Sequence, residues 1–357
     1  MQSPEKHVPG SAHFRVVGDI LVHQRQLDCA LRPDGSYDFR PQFSQVRELL
    51  KGADCTIANL ETTIGMVGGL PYSGYPRFNT PEALLDALRD AGVDFLSLAN
   101  NHILDRGSEG MRKTADRVKA WGFDFDGVSL APEERPVIVE LGGIRVGLLS
   151  YTEIINIENS SETWPQAVER GAAFGVKTLQ HANFSADVRR LRNAGAELVF
   201  ALPHWGMEYQ RTPEAETVAL AKKMIAAGID VILGSHPHVV RPVEYLEAET
   251  DRGETRTGLV AYSLGNFISS QSRRYTDAGI ILDFTVCRLA DGSYSVKDVH
   301  IIPTYCWRSD NMIQPLCSKR YLKEAPEGMD GAAWQSLKES YEELRELLGD
   351  TFPLTAC

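Results

Sequence analysis

Short, mostly apolar runs that lead into polar or turn-forming residues recur along the chain. They lie at residues 14–17, 55–58, 94–98, 198–202 and 231–233 and are rich in Val, Ile, Leu and Phe. Runs of this length and composition are typical of strands buried in a sheet. We therefore predict a strand at each of these places, and a weaker one near residues 123–125.

Apolar residues at helical spacing lie between these runs. Leu84, Leu85 and Leu88 share one helical face, after a start signal at Thr80-Pro81 and before Gly92. Strands that alternate with helices predict an α/β fold with a parallel sheet, whose strands all end at one edge. Other helices are predicted at residues 41–50, up to Trp121, at 186–194, after Pro213 and at 332–348.

Antiparallel pairs are predicted where two apolar runs flank a turn signal. Three such pairs are residues 136–141 with 144–150, 239–247 with 258–263, and 278–289 with 293–303. Two irregular stretches are long for connections in a compact domain: the Gly-rich loop 65–74, and an insert at 152–183 that contains Trp164 and Phe174. We predict that they form walls or a lid of a binding site.

Composition narrows the classes of protein. The net charge of −11 over 357 residues argues against a nucleic-acid partner and against docking on an anionic membrane. No apolar run approaches the ~20 residues that span a bilayer, and residues 1–13 lack an apolar signal core, so we expect a cytoplasmic protein. Six scattered cysteines favour packing roles in a reducing compartment over a disulfide framework. The sequence does not indicate an oligomeric state.

Candidate metal ligands follow the predicted strands. An Asp such as Asp19, taken alone, is more often a turn residue or a helix cap, and a single His-x-His is more often a polar turn than a metal site. Strand alternation and Pro237 predict an extended backbone that turns His236 and His238 to the same side. Collected from the strand ends, the ligand set is Asp19, Glu61, Asn101, His204, His236 and His238.

This set of carboxylates, an amide and imidazoles suits transition metals such as Mn, Zn, Fe or Co. Six ligands exceed the needs of one ion and predict two divalent ions about 3.5–4 Å apart that share a carboxylate and generate a hydroxide nucleophile. His102 is the candidate proton donor to the leaving group, and Asp105 the residue that orients it. Candidate substrate contacts are Asn59, Arg77, Glu208, Tyr209 and Asn266, with Arg211, Arg273 and Arg274 as further cations for a carboxylate or phosphate.

The order of the motifs resembles the CapA family of bacterial capsule (poly-γ-glutamate) synthesis proteins, within the calcineurin-like metallophosphoesterase superfamily. The resemblance covers about residues 14–284 and is carried by Gly-Asp, Asn-Leu-Glu, Ala-Asn-Asn-His, His-Trp-Gly, Gly-Ser-His-Pro-His and Ser-Leu-Gly-Asn-Phe. It implies a four-layer αββα sandwich of two mixed β-sheets with a dinuclear site at one edge. The corresponding division is a metallophosphoesterase-like domain at 12–310 and a helical extension at 311–357 that packs on it.

The resemblance also assigns roles and shows two departures. Glu61 stands where the superfamily has a bridging Asp, while Asn101-His102, His204, His236 and His238 match its Asn-His pair and its three histidine ligands. Asp19 matches the first residue of Asp-x-His, but the third position is Leu21, and His23 is a possible extra ligand.

Two functions from different classes follow. The first is a metal-dependent hydrolase that acts on a phosphoester or a γ-glutamyl or peptide amide bond of an anionic small molecule, peptide or polymer. The second is a non-catalytic partner in polymer synthesis or export that keeps a vestigial metal site. The absence of the Asp-x-His histidine favours the second function, whereas His102 and Asp105 favour the first.

Overall fold

Two mixed β-sheets organise the chain. The computed structural model describes residues 10–65, 69–129, 136–156, 175–349 and 351–356. The first sheet has the order β14-β13-β12-β1-β2-β3-β4, with β11 beside the end of β1. Its parallel strands are β1 (Ser11–Ile20), β2 (Cys55–Leu60), β3 (Phe95–Ser97), β4 (Asp124–Asp126) and β11 (Asn266–Ile268); β12 (Ala278–Arg288), β13 (Tyr294–Ser309) and β14 (Met312–Cys317) run antiparallel to their neighbours.

The second sheet has the order β5-β6-β7-β8-β10-β9. Its parallel strands are β6 (Ile144–Thr152), β7 (Leu198–His204), β8 (Val231–Leu233) and β10 (Thr255–Ala261), and β5 (Val137–Leu141) and β9 (Val243–Glu249) form antiparallel edges. All three predicted hairpins are therefore present.

The two sheets bury a shared apolar core between them. The rings of Phe14 in the first sheet and Phe200 in the second lie 5.1 Å apart, and Phe284 packs against both. The outer face of the first sheet carries α1 (Gln24–Ala30), α2 (Arg40–Phe43), α3 (Arg47–Leu50), α4 (Ala83–Ala91) and α5 (Gly107–Ala120); that of the second carries α6 (Phe184–Asn193) and α7 (Ala215–Ala226). This is the predicted αββα sandwich, so the fold class is confirmed.

Several local predictions need correction. The predicted helix at 41–50 is two short helices, because the Ser44 hydroxyl donates to the Pro41 carbonyl and competes with the helical pattern. The short helix α1 after His23 was not predicted, because a seven-residue helix carries almost no periodic signal. The predicted strand at 239–247 begins only at Val243.

The extension at 311–357 is not purely helical. Besides α8 (Gly331–Leu348) it contains β14, and the expected boundary at 310 falls in the turn between β13 and β14. β14 contains Pro315, and it lies at the edge of its sheet, where a missing N–H is tolerated. The separation of this segment as an extension stays a prediction.

Four of the cysteines agree with the prediction of free thiols, and one does not. Cys29, Cys55, Cys287 and Cys306 are free thiols, as expected, whereas Cys317 is disulfide-bonded, which corrects the expectation for that residue. The cysteines therefore no longer argue for a reducing compartment.

Of the insert at 152–183, residues 157–174, with Trp164 and Phe174, lie outside the described residues. Among those described, no helix combines the length and apolar character needed to cross a bilayer.

Candidate metal centre

The carboxyl ends of the parallel strands in both sheets meet at one edge of the sandwich. Asp19 lies near the end of β1, and Glu61 directly follows β2. Asn101 follows β3, while His204 ends β7 and the pair His236 and His238 follows β8. The prediction that strand ends deliver these side chains to one place is therefore confirmed as geometry.

Three of these side chains gather around the Nε2 atom of His204. It lies 3.0 Å from Oδ1 of Asn101, 3.1 Å from Nδ1 of His236 and 3.7 Å from Oε1 of Glu61. Glu61, His204 and His236 form one group whose potential ligand atoms all lie within 4.8 Å of one another. The side chains of all four residues are buried.

A second group contains Asp19, Glu61 and His238, with ligand atoms within the same 4.8 Å limit. Nδ1 of His238 lies 3.2 Å from Oδ2 of Asp19, and its Nε2 lies 3.8 Å from Oε1 of Glu61. Glu61 belongs to both groups, and the same oxygen faces both. This is the position that the resemblance assigns to a carboxylate shared by two ions.

The electrostatics of the groups test whether a metal fits. Oε1 of Glu61 is buried and has no hydrogen-bond partner among the residues that the structure describes, an unfavourable state for a carboxylate. Burial, together with repulsion from Asp19, raises the pKa of Glu61 well above its usual value. Burial and the neighbouring histidines lower the pKa of His204, and burial with His238 lowers that of His236 to about 3. Uncharged imidazoles that converge on an unpaired carboxylate oxygen are the donor set that a transition-metal cation satisfies.

The backbone at His236 and His238 is not extended, which corrects the prediction. Their φ angles are 97° and 59°, so both residues adopt left-handed conformations in a turn after β8. Non-glycine residues in this region cost on the order of 1–3 kcal/mol each and cluster at functional sites. The turn is held because Ser235 N–H donates to the Pro203 carbonyl and Trp205 N–H to the Ser235 carbonyl.

Polar residues around the ligands hold them in place. Nδ2 of Asn59 donates to Oδ1 of Asp19 at 2.8 Å and to Oε2 of Glu61 at 3.2 Å. Oγ of Ser235 lies 2.9 Å from Nδ1 of His204, which leaves Nε2 of that ring for a metal. Asn59 thus binds the carboxylates of two candidate ligands, and its contact with substrate stays a prediction. Ser235 was missed, although its place directly before the histidine pair was a usable signal.

His102 and Asp105 lie next to the cluster as a buried pair. Oδ2 of Asp105 is 2.8 Å from Nδ1 of His102 and also accepts from the N–H of Phe78. The ring of Phe78 packs edge-on against His102 at 4.6 Å between centroids. Phe78 follows the Gly-rich loop 65–74, which was predicted to form a wall of a binding site, and its ring lies against the His102 side chain.

The other candidates lie in different places. Nδ1 of His23 accepts from Ser270 N–H, its ring packs on Phe78, and His23 is in neither metal group among the described residues. Tyr209 lies near the cluster, 6.0 Å from His238 between ring centroids. The adjacent residue, Glu208, lies close enough for its charge to raise the pKa of Tyr209, after the larger effect of burial. Arg77 is exposed on the loop, and its substrate role stays a prediction. Asn266 faces His238.

A buried arginine that was not among the predicted site residues supports this side of the site. Arg241 is fully buried and binds both carboxylate oxygens of Glu214, at 2.7 and 2.9 Å. It also donates to the carbonyls of Met207 and Gln210. Arg241 therefore fixes the loop that carries Glu208 and Tyr209 beside the histidine turn.

The αββα sandwich brings together, at one edge, two groups of residues suited to bind metal. The chain belongs to the family of bacterial capsule synthesis proteins PGA_cap, whose sequence profile matches residues 13–271.

Two relatives carry capsule-related names. The capsule biosynthesis protein CapA of Bacillus anthracis is 27% identical over 80% of this chain and 65% of its own length, so this chain spans slightly less than two thirds of it. The PGA biosynthesis protein CapA of Bacillus subtilis is 23% identical over 88% of this chain and 78% of its own length. A solved structure, NAD nucleotidase of Haemophilus influenzae, aligns over 94% of this chain and 61% of that chain with a TM-score of 0.48 and 14% identity, which is too distant to indicate a function.

Proposed function

We propose that the protein is a metal-dependent hydrolase that acts on an anionic substrate of capsule or cell-envelope metabolism, with a γ-glutamyl chain as the expected class. The observation that carries the proposal is the buried His102–Asp105 pair beside two ligand groups that share Glu61. A protein that only bound a polymer would need neither a shared buried carboxylate nor an oriented imidazole next to it.

The ligand groups would hold two divalent ions. Asp19, Glu61 and His238 would hold the first, and Glu61, Asn101, His204 and His236 the second. Such ions act as Lewis acids on the reacting group and supply a nucleophile from water at neutral pH. Asn59 and Ser235 keep the ligands in their orientations, because each binds the ligand atom or ring nitrogen that does not face the cluster.

His102 would protonate the leaving group. Asp105 accepts from Nδ1, so Nε2, at the other side of the ring, would be the atom that transfers the proton. The edge-on contact with Phe78 and the bond from Phe78 N–H to Asp105 fix the ring and its partner together. A leaving amine or alkoxide that departs beside His102 would take up this proton.

The substrate side of the site offers a cation. The guanidinium of Arg273 lies 4.2 Å above the ring of Tyr209, which in turn faces His238. Arg274 is paired with the Glu343 carboxylate, and Arg211 donates to the Glu343 carbonyl. Arg273 is therefore the arginine of this cluster best placed to take a substrate carboxylate or phosphate.

The test is metal content measured together with turnover. The purified chain is loaded with Mn²⁺ or Zn²⁺ and assayed on p-nitrophenyl phosphate, bis-p-nitrophenyl phosphate and γ-glutamyl peptides. We expect hydrolysis of at least one substrate, a loss of about 10²–10⁴-fold in His102→Ala with metal retained, and loss of bound metal in His236→Ala. His181→Ala, which removes an exposed histidine, is the matched control. A metal-loaded chain that hydrolyses none of them would refute the hydrolase.

A non-catalytic accessory role is the second candidate. It is favoured by the buried Leu21, which stands where the superfamily has a ligand, and by the name of a similar Mycobacterium tuberculosis protein, a probable polyglutamine synthesis accessory protein, 28% identical over 54% of this chain and 51% of its own length. On this proposal the metal would stabilise a binding surface, and His102→Ala would leave the protein's biological role unchanged.

A further inference from the structure

The first ligand group lacks one protein ligand by comparison with the superfamily. Leu21 replaces the histidine and is buried, with 1% of its surface exposed. His23, the expected replacement, binds Ser270 N–H and lies outside both groups. A ligand from another strand would have to supply the missing donor.

Asn266 presents an oxygen at this place. Its Oδ1 lies 3.1 Å from Nδ1 of His238, the same nitrogen that lies 3.2 Å from Oδ2 of Asp19. Its Nδ2 donates to Oε1 of Gln271 and to the Thr276 carbonyl, both at 3.0 Å. Because both amide hydrogens are used there, the side chain cannot be flipped without losing two bonds, and its oxygen must face the ligand group.

The backbone holds Asn266 beside Asp19 with little freedom. The two residues are paired directly in the parallel ladder of β1 and β11, and Asp19 N–H donates to the Gly265 carbonyl. This close approach requires glycine at position 18, where a Cβ would lie 1.8 Å from the Gly265 oxygen. Asn266 is itself 1% exposed. The oxygen is thus placed in advance, as a metal ligand needs to be.

We propose that Oδ1 of Asn266 is a ligand of the first metal position and takes the place of the missing histidine. This inference rests on the proposed metal centre. It gives the first position three oxygen donors and one nitrogen (Asp19, Glu61, Asn266 and His238), against two of each at the second. The first position therefore favours Mn²⁺ over Zn²⁺ more strongly than the second does.

Metal stoichiometry tests the inference without reference to activity. Calorimetry and elemental analysis should find two Mn²⁺ ions per wild-type chain. In Asn266→Ala the weaker ion should lose about tenfold or more in affinity, while Asn266→Asp should keep both ions. The matched control is Asn79→Ala, which removes a buried asparagine whose amide also donates to two carbonyls, those of Leu70 and Pro71. Two ions bound by Asn266→Ala with unchanged affinity would overturn the inference.

A crystal structure of the wild type with Mn²⁺ separates a ligand from a residue that only orients His238. We expect Oδ1 of Asn266 about 2.2 Å from an ion. An oxygen that stays on Nδ1 of His238, beyond coordination distance, would overturn the inference while the proposed hydrolase stands. Two ions with Asn266 bound but no turnover would refute the hydrolase and support the ligand. A wild type that binds no ion would overturn both.

Discussion

Oδ2 of Asp105 accepts two hydrogen bonds at once, from Nδ1 of His102 at 2.8 Å and from the N–H of Phe78 at 2.8 Å. The second bond fixes the carboxylate, and the fixed carboxylate fixes the imidazole. The orientation of His102 is therefore set by the loop that ends at Phe78, and not only by Asp105, three residues further along the chain.

This arrangement predicts the effect of Asp105→Asn. The amide would no longer hold the proton on Nδ1 of His102, so kcat should fall by about 10- to 100-fold while the number of bound ions stays the same. Steady-state kinetics and elemental analysis measure the two quantities. Asp283→Asn, which breaks a His–Asp contact with His13 in the first sheet, is the matched control and should keep kcat. Equal losses in both variants would mean that Asp105 is merely structural.

A second prediction concerns Glu61 in the metal-free protein. Its pKa is raised in the fold, so the full cost in stability is present above the folded pKa, and this cost shrinks as the pH falls from the folded pKa towards the usual value of 4.5. Glu61→Gln should therefore raise the free energy of unfolding by about 1–3 kcal/mol at pH 8, with a smaller gain at acidic pH. Urea unfolding in chelator measures this difference.

The same variant should lose the response to metal. An ion at one hundred times its dissociation constant stabilises the wild type by about 2.7 kcal/mol, and Glu61→Gln should show little of this gain because the shared ligand is neutral. Glu48→Gln, on the surface, should behave as wild type in both experiments. If Glu61→Gln without metal is less stable than the wild type, and if metal still stabilises the variant, the proposed sharing of Glu61 by two ions would be contradicted.

The meeting of the candidate ligands could be predicted from the sequence, because the strand ends of a parallel sheet meet at one edge. Asp19, Glu61, Asn101 and His204 each follow a recognisable apolar run, and their meeting requires only that the runs pair in parallel. The two hairpins of the second sheet could also be predicted from the sequence, because local turn signals determine which strands pair.

Other features depend on contacts that no local pattern encodes. Asn266 reaches Asp19 through a three-residue strand whose register is set by two glycines far apart in the chain, Gly18 and Gly265. The φ angles of His236 and His238 contradict the expected extended backbone. The backbone hydrogen bonds that join Ser235 to the end of β7 outweigh the local preference that Pro237 imposes. Long-range strand register and backbone strain therefore could not be predicted from the sequence.

A third prediction separates the arginines near Tyr209. Arg273→Ala should raise KM for an anionic substrate about tenfold with kcat nearly unchanged, because a charge-assisted contact made equally in the ground and transition states is lost. Arg274→Ala removes the neighbouring arginine, which is already paired with Glu343, and should leave KM within a factor of two or so. Similar KM values for wild type and Arg273→Ala would place substrate binding elsewhere.

The last prediction concerns acid stability and His23. Burial, with repulsion from His238, lowers the pKa of His23 from 6.5 to about 4. Between these values the unfolded chain holds the extra proton, so falling pH favours unfolding, by at most about 3 kcal/mol for this residue. His23→Asn should therefore lose less stability than wild type between pH 6.5 and 4 in chelator, while the same-direction effects of His204 and His236 remain. Urea unfolding across this range measures it, with His181→Asn as the exposed control. Parallel curves for His23→Asn and wild type would contradict the lowered pKa. They would show that His23 is already protonated in the fold, or that its surroundings are polar enough to leave its pKa unchanged by burial.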